Sequence, residues 1–75
     1  MTNRRPTAEQ LRVDAEENEL LATFRRAQAD LYANAARESA AGIFHETAEY
    51  LRLNQAVIDA GKRLPEGLKR LAKDI

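Results

Sequence analysis

The side chains that could carry chemistry are few and far apart. His45 is the single histidine, Ser39 the single serine, and cysteine is absent from the 75 residues. Nucleophilic catalysis by a Ser, His, Asp set would have to use Ser39, which stands in a turn-forming stretch with no acid and base at recognisable spacing around it. One histidine cannot build a multi-histidine metal site within a chain. His45 and Glu49, four apart, read as a surface pair on one helix face; they would bind a metal only if a symmetric partner brought a second copy of both. The carboxylates Asp14, Glu16, Glu17 and Glu19 are crowded in sequence, but a helix distributes them around its cylinder instead of converging their oxygens, and the calcium-loop pattern with its central glycine is missing. No glycine-rich phosphate loop occurs. The expectation is a non-enzymatic protein with no catalytic, metal-binding or cofactor-binding residues and no evident small-molecule ligand.

A basic group offers a different chemistry. Lys62, Arg63, Lys69, Arg70 and Lys73 gather near the C-terminus, and Arg4 and Arg5 mark the N-terminal end, so contacts to a nucleic-acid backbone are the alternative function. Against it, 12 basic and 12 acidic residues cancel to a net charge of zero, which removes the long-range field that steers such binding. A helix-turn-helix would also need a recognition helix that begins Pro65, Glu66, Gly67.

The elements that position these residues follow from the punctuation. Pro6 and Pro65 are the only prolines, and Gly42 and Gly61 are the glycines between them. Thr7 is a natural N-cap, with Glu9 in the first turn and Gln10 at the capping-box position, so a first helix is expected over about residues 7–39. Val13, Leu20, Ala27 and Asn34 recur every seven residues, interleaved with Glu17, Phe24, Leu31 and Glu38. Ser39 to Gly42 should reverse the chain. A second helix is expected over about 43–60, with one heptad row of Phe44, Leu51 and Ile58 and a neighbouring row of Ile43, Tyr50 and Val57; Gly61 would cap it. Pro65 opens a short third helix, about 65–74, whose stripe is Leu64, Leu68, Leu71 and Ile75.

The fold class expected is all-α: a flexible tail over residues 1–6, then one helical domain over 7–75 built as a long antiparallel helical hairpin with a short C-terminal helix. Reversal near residue 41 would set Phe24 against Ile58 and Leu31 against Leu51. It would also lay the acids between Asp14 and Glu19 beside Lys62, Arg63, Lys69 and Arg70. With hydrophobic residues at 44% of so short a chain and no disulfide to staple it, a surplus apolar face calls for a partner, and pairing into a helical bundle as a homodimer is the economical arrangement. Leu20, Phe24, Leu31, Phe44, Leu51 and Ile58 would build the bundle. Ile43, Tyr50, Val57, Leu64, Leu68, Leu71 and Ile75 would face the dimer mate or another intracellular protein, and Tyr32 is a possible aromatic anchor. The absence of cysteine and of any apolar run long enough for a membrane span fits a soluble, cytoplasmic protein. The expected function is that of a regulator, adaptor or antagonist acting by helix contact, with a structural or assembly subunit as a further alternative.

Overall fold

The computed structural model describes residues 5–73, with Lys73 described only in its backbone. Every regular element among them is helical: α1 is Ala8–Ala40, α2 is Ala48–Lys62, a 3-10 turn spans Glu66–Leu68, and α3 is Arg70–Lys73. A long helix therefore has a shorter one packed against it, and no strand occurs among the described residues. Met1 to Arg4, Asp74 and Ile75 lie outside the described residues, and with them most of the expected tail and the last residue of the expected third-helix stripe.

Helix α1 starts as its sequence requires. The Thr7 Oγ1 accepts a hydrogen bond from the Gln10 N–H at 3.1 Å, and the Gln10 Oε1 accepts one from the Thr7 N–H at 2.8 Å. The capping box thus satisfies two N–H groups that a helix start leaves without partners. Its 33 residues span roughly 50 Å at the α-helical rise. At the other end Gly42 takes φ +78°, the left-handed conformation that costs glycine nothing. The Ile43 N–H then reaches back to the Glu38 carbonyl at 2.8 Å and the Gly42 N–H to that of Ser39 at 3.0 Å, the two bonds of a Schellman ending.

The second helix begins at Ala48, five residues later than residue 43, because the chain does not re-enter a helix directly after the Schellman ending. Ile43 to Glu46 cross between the helices, and Thr47 caps α2 by accepting from the Tyr50 N–H at 3.0 Å. The longer connection changes which residues meet. Thr47 hydrogen-bonds the Glu38 carboxylate, and a Cβ built on Gly61 would sit 3.5 Å from Phe24 Cε1. Phe24 therefore faces Gly61 where the sequence pairing placed Ile58. A three-residue shift along a helix turns the facing side by about 60°, enough to exchange one row for its neighbour. The core is accordingly Phe24, Leu31, Leu53, Val57, Ala60 and Leu64, while Leu51 and Ile58 remain 49% and 43% exposed. Leu21, Ala27, Tyr50, Leu68, Leu71 and Ala72 pack around it.

Gly61 does not end α2. The helix runs on to Lys62 and stops at Arg63, where Leu64 precedes a proline and is disfavoured in helical conformation. Gly61 serves close approach instead: an added Cβ would lie 2.9 Å from Ala72 Cβ. The third helix starts later than residue 65, since Pro65 begins a 3-10 turn closed by the Leu68 N–H to Pro65 carbonyl bond at 2.8 Å, and of the described residues after it Arg70–Lys73 are α-helical.

Candidate functional site: the Phe44 turn and the exposed flank

The connection between α1 and α2 is locked from one residue. The Glu38 carbonyl accepts from the Ile43 N–H, and its Oε2 accepts from the Thr47 hydroxyl at 2.6 Å. Both ends of the crossing segment are thereby tied to the last turns of α1. Between these ties Phe44 stands 82% exposed, beside a groove of about 240 Å³ lined by Ala35, Glu38, Ile43, His45, Glu46 and Tyr50. Phe44 was expected in the bundle core; the late start of α2 places it in the turn. These bonds fix the backbone on both sides of Phe44, so the turn need not be ordered on binding, and an exposed aromatic side chain on such a turn has the character of a binding anchor.

The residues expected to face a partner divide differently. Val57 and Leu64 are 3% and 2% exposed and lie inside the chain's own core. The register shift turns Val57 toward α1, and the Leu64–Pro65 joint folds back onto it. Ile43 is half-buried and lines the groove beside Phe44, Tyr50 is half-buried against the core and also lines the groove, and Leu68 and Leu71 pack against the core from the C-terminal turns. Ile75 lies outside the described residues. Among the described residues the large apolar side chains that do reach the surface are Leu11, Val13, Tyr32, Phe44, Leu51 and Ile58. Of these the sequence reading singled out only Tyr32 as a candidate anchor. The missed signal was Thr47 with Glu49 two residues on, an N-cap with an acid in the first turn, which excludes Phe44 from α2.

The charged groups pair locally. Glu49 and Arg52 form a two-point pair with both distances at 2.8 Å; the Arg52 hydrogen bonds hold the Glu49 carboxyl below the usual carboxylate range. Glu49 thus answers Arg52 and not His45, which sits in the turn before α2. The other ion pairs among the described residues are Glu9 with Arg12 and Glu66 with Lys69, both at 3.5 Å and three apart in sequence. No described ion pair joins the run from Asp14 to Glu19 to Lys62, Arg63, Lys69 or Arg70. The reason is length: the end of α2 lies beside Phe24, so the acids extend past it. Of the basic cluster, Lys62, Arg63 and Arg70 are exposed, Lys69 is half-buried beside Glu66, and Arg70 donates to the Gly67 carbonyl at 3.1 Å. The side chain of Lys73, and Arg4 altogether, lie outside the described residues. Among the described residues no three His, Asp or Glu side chains are grouped to hold a metal ion, and no helix is long and apolar enough to cross a membrane.

One polar group stands apart. Asn34 is 5% exposed and its Nδ2 has no hydrogen-bond partner. It occupies the heptad row of Val13, Leu20 and Ala27, where a buried amide costs stability and constrains which helix packings are allowed.

Comparison of the chain with protein-family models, with curated proteins and with solved structures finds no match.

Proposed function

We propose that this chain is a non-enzymatic protein-interaction module: an antiparallel helical hairpin, paired as a homodimer, that offers its Phe44 turn to another intracellular protein and so acts as a regulator, adaptor or antagonist. The observation that carries the reading is the 82% exposure of Phe44 on a turn tied at both ends to Glu38. Exposing a whole phenyl ring to water is unfavourable, by roughly 1.5–3 kcal/mol relative to burying it, and a short connection with polar residues would avoid that cost. The large apolar residues left outside the core, in a chain too short for a second core of its own, support the homodimer. An assembly subunit would use the same surfaces and remains a variant of this reading. The nucleic-acid alternative has less support, because among the described residues α3 is only Arg70–Lys73, too short for a recognition helix, although Lys62, Arg63 and Arg70 are exposed.

The test is affinity capture from the native host with the wild-type chain and with Phe44→Ala as baits, followed by mass spectrometry of protein and analysis of nucleic acid. The expected result is a protein retained by the wild type and lost with Phe44→Ala while both baits show equal helicity. Identical capture by the two baits contradicts the role of Phe44. Retention of nucleic acid that falls steeply with salt would favour the alternative instead.

A further inference from the structure

The molecule exposes more surface than its mass requires. Its accessible area is 6012 Å², whereas a globular monomer of 8.4 kDa exposes about 4,600 Å². The excess of about 1,400 Å² is larger than the roughly 800 Å² each partner buries in a standard interface. Shape accounts for it: the molecule measures 61 × 20 × 18 Å, with a Cα radius of gyration of 16.9 Å against about 11 Å for a compact chain of this length. Residues 8–16 of α1 are exposed throughout, where the helix projects past the end of α2.

The surplus has a side. Thr23, Arg26 and Asp30 of α1 line one flank of the seam with Arg52, Asp59 and Arg63 of α2. At about 100° per residue, Leu11, Asn18, Arg25 and Tyr32, each seven from the next, run along the opposite flank of α1, and Leu51 and Ile58 lie on the same flank of α2. Leu11 and Tyr32 are 49% and 53% exposed. Between them the exposed Ala15, Ala22 and Ala29 leave room for another helix backbone. The charges on this flank of α1 are Asp14 toward one end and Arg25 toward the other.

The rod is also electrically polar. Ala8 to Glu19 carry five acids, Glu9, Asp14, Glu16, Glu17 and Glu19, against the single base Arg12, and because the whole chain is neutral the remainder is net basic. Two such rods side by side are complementary only when antiparallel; parallel copies would set acid on acid.

We propose that a second copy of this chain covers this flank with its α1 antiparallel to the first, so that Leu11 of each packs on Tyr32 of the other and Asp14 of each lies within a turn of the other's Arg25. The two-fold axis then passes near Leu21 and Ala22. The proposal rests on the homodimer reading and deepens it by naming the face and the orientation.

The chain has no native cysteine, so disulfide trapping is clean. Ala15→Cys and Ala29→Cys, prepared separately, are mixed and oxidised while sedimentation reports the mass of the wild type. Residues 15 and 29 are about 21 Å apart along one helix, too far to bridge within a chain. The expected product is the mixed disulfide. A wild-type dimer whose variants link only 15 to 15 and 29 to 29 overturns the antiparallel arrangement and leaves the homodimer reading standing. A wild-type monomer at micromolar concentration overturns both. Charge reversal gives an independent arm: Asp14→Arg or Arg25→Asp should weaken the dimer about tenfold, since symmetry repeats each contact, and combining the two should restore it. Failure of the combination to restore it, with helicity intact, contradicts the Asp14–Arg25 contact.

Discussion

Replacing Gly61 by alanine should reverse the usual effect of that substitution. Inside an ordinary helix, glycine to alanine stabilises by about 1 kcal/mol, and Gly61 lies inside α2 with helical neighbours on both sides. Here the new Cβ would stand 2.9 Å from Ala72 Cβ and 3.5 Å from Phe24 Cε1. Carbon atoms prefer about 3.5–4.0 Å, so the Ala72 backbone must withdraw by over half an ångström, and as its Cβ has no torsion to escape through, α3 must move as a body. Overpacking of this kind costs about 1–3 kcal/mol. The net expectation for Gly61→Ala is therefore a loss of up to about 2 kcal/mol, with faster hydrogen exchange in Glu66 to Lys73. In an Ala72→Gly background the obstruction is gone, and the same substitution should stabilise by up to about 1 kcal/mol. Urea unfolding followed by far-UV circular dichroism on the four variants measures the coupling as a double-mutant cycle. A gain of about 1 kcal/mol in both backgrounds, with α3 exchange unchanged, would refute the close approach of α3 to α2.

Three further outcomes follow from the same geometry. Phe24→Ala, at a site with no exposed surface, should cost about 3–5 kcal/mol, a large part of what a domain this small has, whereas Leu51→Ala should cost the monomer under about 1 kcal/mol; equal losses in urea titrations performed at dilution would restore the Leu31–Leu51 pairing. Asn34→Leu removes an unpartnered buried amide and should raise stability by about 1 kcal/mol, and a fall would mean that the amide is satisfied. Arg52→Ala should return the Glu49 carboxyl to the ordinary carboxylate range in an NMR titration. Because the Glu49 value is lowered in the folded chain, the contribution of the pair is present above the ordinary carboxylate range and is lost as pH falls through Glu49's own lowered value.

The first helix was legible because its signals are local. Thr7, Glu9 and Gln10 at one end and Gly42 at the other specify its limits within a residue, through hydrogen bonds that involve nothing distant. The second was misplaced because Ile43 and Phe44 continue an apolar periodicity that the Schellman ending interrupts, while the true start depends on Thr47 reaching both Tyr50 and Glu38. That one displacement propagated. It turned α2 far enough to bring Val57 inward and leave Leu51 and Ile58 outside, so an error in turn length became an error in surface. Gly61 was misread for a related reason: a glycine near a helix end signals a cap by local rules, and only the position of Ala72 shows that it is there to make room.

The homodimer is the part of the proposed function open to the most direct measurement. Sedimentation velocity of the wild-type chain at micromolar concentration should give one species of twice the 8.4 kDa chain mass, with an affinity that falls modestly as added salt screens the charged contacts. A single 8.4 kDa species that persists as concentration is raised would contradict it, and would leave Leu11, Tyr32, Leu51 and Ile58 exposed to water with no second copy to cover them.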